Sequence, residues 1–246
     1  MQNLILDFGN TLFKAAVFEQ DKLLSKISDQ HLQKEMLLNL KKQYPEINKT
    51  IYSTVIDLED TLTEYLNKEL NAIELTHHTL IPLKNLYQTP ETLGKDRLAA
   101  AVGAFQLFPN KNLLVIDAGS CITYDMITES KHYLGGSISP GITIRFKSLH
   151  HYTDKLPLLN PSGKEIALIG KSTRQSILSG VLNGVFAEVD GIINRYKETY
   201  PDLIVLFTGG DLKHFDKNLK NNIFAAENLV LQGLNFILNY NDKNKA

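Results

Sequence analysis

Apolar residues fill Leu4-Ile5-Leu6, give way to Asp7-Phe8-Gly9-Asn10-Thr11, and resume in Leu12-Phe13-Lys14-Ala15-Ala16-Val17-Phe18. An apolar run that enters a Gly-containing turn and a second that leaves it read as a β-hairpin. A third strand, Lys22 to Ser28, follows through the turn Glu19-Gln20-Asp21. Asp29 then stands as N-cap of a helix carrying Leu32, Met36, Leu37 and Leu40, stopped at Pro45. Lys49 to Val55 is rich in β-formers, and Asp57 begins an amphipathic helix through Leu58, Leu62, Tyr65, Leu66 and Leu70. The pattern predicts βββαβα.

A helix with Leu98, Ala101, Val102 and Phe105 on one face follows and ends at Pro109, which puts Asp96 and Arg97 near its N-terminus. The opening pattern then returns. Leu113 to Ile116 enters Asp117-Ala118-Gly119-Ser120, Ile122 to Ile127 leaves it, and after Thr128-Glu129-Ser130 comes a strand from Lys131 to Leu134. Strand, Asp-x-Gly turn, strand, short turn and strand occur twice, the mark of a duplicated unit.

Beyond it the pattern predicts a flexible loop over Gly135 to Gly141, a helix from Ile142, and a loop containing Pro157, Pro161 and Gly163. Ser172 or Thr173 caps a long helix with the stripe Ile177, Val181, Val185, Ile192 and Tyr196. Gly180, Gly184, Ala187 and Gly191 on that helix admit a second backbone, from within the chain or from a dimer partner. A strand from Leu203 to Phe207 runs into Thr208-Gly209-Gly210-Asp211, and a last helix covers Glu227 to about Tyr240, with fraying from Asn241 onward. The fold class is therefore α/β: two related βββαβα lobes, residues 1–110 and 111–246, with a nucleotide cleft expected between them.

Composition narrows the function. With 26 basic against 27 acidic residues in 246, nothing pulls the chain toward nucleic acid or an anionic membrane. The sequence lacks a secretory leader, and no apolar run reaches the ~20 residues of a membrane-spanning helix. The single Cys121 excludes a disulfide framework and a Cys-rich zinc site. Cytoplasmic location is the expectation. The adjacent pairs His77-His78 and His150-His151 diverge on a strand or helix, and are expected at the surface rather than around a metal.

The Asp7 turn brings together a carboxylate, a glycine, an amide, a hydroxyl and an ammonium. Asp can hold the waters of Mg²⁺, glycine lets backbone approach a phosphate, and Asn10, Thr11 and Lys14 can donate to its oxygens. Alone, the stretch is explained as simply by a hairpin turn whose Gly-Asn pair takes positive φ.

Several stretches together go further. Asp7-x-Gly-Asn-Thr, then Tyr87-x-x-Pro90-x-x-Leu93-Gly94-x-Asp96-Arg97 with Gly103-Ala104, then Asp117-x-Gly-x-x-x-Thr123-x-Asp125, Gly135-Gly136-x-Ile138-x-Pro140-Gly141 and Thr208-Gly209-Gly210 occur in order. In them the chain resembles the type III pantothenate kinases of the acetate/sugar kinase, Hsp70 and actin superfamily, a ribonuclease H-like duplicated fold. The resemblance implies ATP-dependent phosphorylation of pantothenate, the first step toward coenzyme A, with Mg²⁺ and a monovalent cation, K⁺ or NH₄⁺. It implies that Asp7, Phe8, Gly9, Asn10, Thr11, Leu12, Phe13 and Lys14 form the first phosphate and Mg²⁺ site. Gly94, Lys95, Asp96 and Arg97 correspond to the pantothenate-binding segment, with Asp96 the general base and Tyr87 a further contact. Asp117 corresponds to the monovalent-cation ligand and Ser120 to a phosphate contact, while Gly209 and Gly210 fit backbone approach to the nucleotide. Thr173 matches a pantothenate-contacting threonine, in a family whose substrate site is completed at a homodimer interface.

Where the family has Thr-Ala, this chain has Ser120-Cys121; the hydroxyl survives, and a buried cysteine is tolerable in place of alanine. Asp125 reads equally as a support for the cation site or as a strand-end cap. Two other readings stay open: a non-catalytic nucleotide-binding homologue, and a superfamily kinase for another small acceptor.

Overall fold

The computed structural model describes residues 2–30, 32–161 and 166–243, so Gly163 of the expected loop lies outside the described residues. The first elements are β1 (Gln2–Phe8), β2 (Phe13–Glu19), β3 (Lys22–Asp29), α1 (Lys34–Gln43), β4 (Ile47–Thr54), α2 (Asp60–Lys68), β5 (Ile73–Glu74), β6 (Lys84–Asn85) and α3 (Lys95–Leu107). Then come β7 (Leu113–Ala118), β8 (Cys121–Ile127), β9 (His132–Pro140), α4 (Ile142–His151), α5 (Thr173–Thr199), β10 (Ile204–Thr208), α6 (Leu212–Phe215), β11 (Phe224–Ala225) and α7 (Leu229–Lys243).

The described residues form two compact units. The first lies within Met1–Asn110, Glu129–Leu134 and Asn228–Ala246, the second within Lys111–Thr128 and Gly135–Glu227. Two stretches of the expected second lobe, Glu129–Leu134 and the C-terminal helix, therefore group with the first unit.

In the first unit the sheet order is β3-β2-β1-β4-β5. β2 runs antiparallel to β1 and to β3, whereas β4 runs parallel to β1 and β5 parallel to β4. A parallel return needs a crossover, which α1 supplies. Leu4, Leu6, Phe13, Ala15 and Val17 pack with Leu37 and Leu40 of α1 and Leu66 of α2 in one core. Truncating one of these leucines to alanine costs about 2–5 kcal/mol. Asn3 of β1 donates to Asn235 (2.7 Å) and Asn239 (2.9 Å) of α7. α7 and α3 touch through glycines: a Cβ at Gly233 would lie 1.8 Å from the Ala99 carbonyl oxygen, and one at Gly103 would lie 2.5 Å from that of Leu229. That close crossing fixes α3, and with it Asp96.

The other sheet is six-stranded, β6-β9-β8-β7-β10-β11; its run β9-β8-β7-β10-β11 repeats the order of the first, again with an antiparallel hairpin and a parallel fourth strand, and β6 adds parallel to β9. The second unit's core sets Ile116, Tyr124 and Phe207 against Ile177, Val181, Val185, Val189 and Ile193 of α5, one residue per helical turn.

Several expectations are corrected. Gly135 to Pro140 is strand β9 rather than a flexible loop: a Cβ at Gly136 would sit 1.5 Å from the Tyr124 carbonyl oxygen, so these glycines admit close strand packing. α1 and α2 start at Lys34 and Asp60, later than Asp29 and Asp57 suggest, because Asp29 ends β3 and its carboxylate instead accepts from Gln30 N. α7 continues through Asn241 to Lys243; the buried Asn241 amide donates to the carbonyls of Leu80 and Ile237, which prevents fraying there. α5 is by length and composition long enough to cross a membrane, because small residues keep an 18-residue window apolar without an unbroken run; its large apolar stripe is buried in the second unit's core. Gly180, Gly184 and Gly191 have open space where a side chain would stand, so no backbone among the described residues packs on them. His77 and His78 do not diverge: they sit in a turn with ring centroids 3.8 Å apart, exposed as expected.

Candidate active site

The first Asp-x-Gly stretch begins at the end of β1. The hairpin register pairs Asp7 with Lys14 and Phe8 with Phe13, leaving Gly9 to Leu12 as the loop. Gly9 N donates to Leu12 O at 3.1 Å, and neither Gly9 nor Asn10 has positive φ, so the loop is not the Gly-Asn turn that the simpler reading proposed. The Phe8 and Phe13 rings stack in the core with centroids 4.9 Å apart, so these two offer a phosphate only their backbone. Asn10, Thr11 and Leu12 are exposed.

Asp7 is only 6% exposed. Its Oδ1 accepts from Ser53 Oγ at 2.9 Å, and its Oδ2 lies 3.8 Å from Lys14 Nζ. Burial pushes its pKa up; Lys14 and Ser53 pull it back, and the charge of Asp96 pushes it further up. Asp96 therefore belongs to the same electrostatic neighbourhood as Asp7. Ser53 belongs to no motif, and only the parallel register Asp7↔Ser53, a tertiary fact, places it there.

Asp96 and Arg97 occupy the first turn of α3. The Asp96 carboxylate accepts from Arg97 N at 2.8 Å, and a Cβ at Gly94 would stand 2.6 Å from that carboxylate oxygen. Glycine at 94 leaves room for Asp96 to fold over the helix end. Arg97 is buried, with its guanidinium 5.8 Å from the Tyr87 ring centroid. Lys95 bends the other way: Nζ donates to Leu93 O at 3.0 Å, and burial lowers its pKa against the pull of Glu74 and Glu91.

In the second unit, Asp117 at the end of β7 pairs in register with Thr123 of β8 and Thr208 of β10. Gly209 has φ +97°, and a Cβ there would lie 2.2 Å from Ala118 O and 2.5 Å from Asp117 Oδ1. Gly209 is thus required by backbone conformation and by the Asp117 carboxylate together, whereas Gly210 faces open space. The Thr123 hydroxyl oxygen is buried without a hydrogen-bond partner. Ser120 is half-buried in the turn, and Cys121 is exposed, correcting the expectation of a buried cysteine. Asp125 is buried inside β8, two residues before its end, which removes the strand-end cap reading. Ser172 is the N-cap of α5, accepting from Gln175 N at 3.3 Å, and Thr173 is the exposed first residue of that helix.

A cavity of about 620 Å³ in the first unit is lined by Phe8, Phe13, Leu37, Leu62 and Tyr65 and reaches Gly9. None of Asp7, Lys14, Asp96 or Arg97 lines it, although Phe8, Gly9 and Phe13 of the first turn do. No group of three or more His, Cys, Asp or Glu side chains that could hold a metal occurs among the described residues.

The type III pantothenate kinase family matches residues 3–195. A type III pantothenate kinase of Christiangramia forsetii is 48% identical, over 97% of this chain and 98% of that protein. That of Phocaeicola vulgatus is 46% identical, over 98% and 99%. Among solved structures, a Campylobacter jejuni protein assigned to the Baf family of transcriptional activators is 25% identical with a TM-score of 0.63, over 98% of this chain and 99% of that one. Component A of the Acidaminococcus fermentans (R)-2-hydroxyglutaryl-CoA dehydratase is 11% identical with a TM-score of 0.55 and full coverage of both chains. The latter likeness is one of fold, the duplicated actin-like ATPase architecture. On the family match and on relatives nearly half identical over almost their whole length, the chain belongs to the type III pantothenate kinases.

Proposed function

We propose that the chain transfers the γ-phosphoryl group of ATP to pantothenate, with Asp96 as general base and the Asp7 and Asp117 turns binding the ATP phosphates. The observation that carries the assignment of roles is the grouping in the first unit. Asp96 stands on α3 next to Arg97, whose guanidinium lies over the Tyr87 ring, and is close enough to Asp7 for its charge to act there.

Phosphoryl transfer needs positioning and charge stabilisation more than covalent chemistry. A primary hydroxyl cannot be deprotonated in advance by a carboxylate; Asp96 orients it and accepts its proton as the new P–O bond forms. The N-terminus of α3 favours the ionised form of Asp96. Arg97 takes the pantothenate carboxylate in a bidentate fork, with Tyr87 beside it. Thr173 and Gly94 are further pantothenate contacts, while Lys95 serves mainly to hold the Leu93 carbonyl. Lys14, Asn10, Thr11 and the backbone of Gly9 bind phosphate oxygens, as do Ser120 and the Gly209-Gly210 backbone.

Mg²⁺ supplies positive charge to the phosphates, and Asp7 fits it: the buried carboxylate carries a desolvation penalty that a nearby divalent charge offsets. K⁺ or NH₄⁺ fits Asp117, where the partnerless Thr123 oxygen offers a neutral ligand on the neighbouring strand. A homodimer is supported by the open small-residue face of α5, Gly180, Gly184, Ala187 and Gly191. The location consistent with this activity is the cytoplasm.

The test is ADP formation by purified protein with Mg²⁺, with and without pantothenate and with K⁺, NH₄⁺ or neither. Pantothenate-dependent turnover that needs the monovalent cation is expected. Nucleotide binding with no turnover under any of these conditions would sink the reading in favour of a non-catalytic homologue, and turnover only with other acceptors would favour a different kinase.

A further inference from the structure

Three elements of the second unit, α4, β8 and β9, converge on Glu188 of α5. Arg145 of α4 donates from Nη2 to Glu188 Oε2 at 2.7 Å, and to Ser139 Oγ at 2.7 Å. Its Nε donates to Pro140 O at 2.8 Å. Ser139 Oγ in turn donates to Glu188 Oε1 at 2.6 Å, and Tyr124 OH of β8 donates to the same oxygen at 3.3 Å. Burial and Glu188 push the Tyr124 pKa far up, which keeps the phenol a donor.

This network holds the end of β9, and the next residue is Gly141. Gly141 N donates to Ser120 O at 3.0 Å. A Cβ at Gly141 would lie 2.0 Å from Gly119 O and 2.6 Å from Ser120 O, so its backbone lies directly against the Asp-x-Gly-Ser turn. The Arg145 backbone closes the circuit, its N donating to Gly141 O at 3.1 Å. Displacing Pro140 and Gly141 therefore displaces Gly119 and Ser120.

We propose that Arg145 and Glu188 are positioning residues for the Asp117–Ser120 turn, setting its affinity for nucleotide phosphate without touching the nucleotide. The inference rests on the phosphate role given to that turn above. Both side chains keep some solvent exposure, 22% for Arg145 and 29% for Glu188. A pair so placed contributes little to global stability. Its effect is geometric, because a misplacement of about 1 Å at a site that positions phosphate is felt strongly in affinity and rate.

The experiment is titration calorimetry with Mg²⁺-ADP on Glu188→Gln, Arg145→Met, the double variant and Ser139→Ala, alongside steady-state kinetics. For Arg145→Met, ADP affinity is expected to fall about tenfold and KM for ATP to rise in parallel. KM for pantothenate should stay within about twofold, and the melting temperature within a few degrees. The double variant should bind ADP no worse than the poorer single variant, since both act through one pair. Arg145→Lys should recover part of the loss by restoring the charge. Unchanged ADP affinity in the folded single variants, or equal rises in the two KM values, overturns the proposal. If Glu188→Gln fails to fold, Ser139→Ala reads out the same link with the ion pair intact. ADP binding does not depend on the acceptor, so wild type that binds ADP but never turns over pantothenate would refute the kinase reading alone. Wild type without ADP affinity would refute both.

Discussion

Asp7 and Asp117 hold the same place in the two units: each is the penultimate residue of the first strand, opposite a residue of the returning hairpin strand and beside a hydroxyl residue on the parallel fourth strand. The residue opposite differs. Lys14 faces Asp7, whereas Thr123 faces Asp117. Asp7 is buried, bonded to Ser53 and close to an ammonium; Asp117 is half-buried, with Gly209 seated on its carboxylate and a partnerless hydroxyl oxygen on the adjoining strand. Duplication thus supplied two copies of a carboxylate at a strand end, and the facing side chain decides what each is ready to bind. On the proposed reading, the cation beside Asp7 would prepare a place for phosphate with Mg²⁺, and the neutral oxygen beside Asp117 would add a ligand for a weakly hydrated monovalent ion without adding charge.

On the proposed reading both turns would bind, and proton transfer would belong to neither. Asp96→Asn should therefore show the largest effect. A loss of kcat of about 10²–10⁴ is expected, the usual contribution of a general base. ADP affinity should be little changed and the circular dichroism spectrum unaltered. A variant with near-normal kcat would remove Asp96 as the base and return the proton to one of the turns.

The next test separates the turns. Burial raises the Asp7 pKa above its unfolded value, so the native state holds that proton more tightly than the unfolded chain. Stability of the nucleotide-free protein then falls as pH rises from the unfolded value through the folded one, and above both the full cost is present. Asp7→Asn should raise the melting temperature at neutral pH and abolish that decline, while lowering kcat/KM about 100-fold. Such an exchange of stability for activity is common at functional sites. Asp117→Asn should leave the melting temperature unraised and increase the K⁺ concentration needed for half-maximal activity about tenfold. Thermal denaturation between pH 4 and 8 and a K⁺ titration measure both. Stabilisation by both substitutions, or by neither, would erase the distinction.

What was legible in the sequence follows the same divide between local and long-range facts. The hairpins could be read because apolar runs flank short polar turns, and the duplicated unit because the pattern occurs twice. Asp96 at a helix start was likewise visible, since Leu98, Ala101 and Val102 set the helical phase. The Ser53 bond to Asp7, the seat of Gly209 on Asp117 and the Arg145–Glu188 network depend on residues distant in sequence, and no local pattern announces them. The strand over Gly135 to Pro140 was hidden for a related reason. Its glycines look like loop residues until the Tyr124 carbonyl is found where a Cβ would be. The small-residue face of α5 was visible, but only packing tells whether the chain itself fills it.

The smallest effect is expected at Ser120-Cys121, where the resemblance implies Thr-Ala. Ser120 keeps a hydroxyl within the second turn, and Cys121 is exposed at the start of β8, where neither its volume nor its thiol fills a core. Restoring the family's pair with Ser120→Thr and Cys121→Ala should change KM for ATP by no more than about threefold. Stability should move by no more than about 0.5 kcal/mol, as for surface substitutions away from special features. A larger gain in ATP affinity would mean that the added methyl of threonine tightens the turn. The second turn would then be the one still short of its best phosphate geometry, and the Asp7 turn, with its lysine, the one that carries the nucleotide.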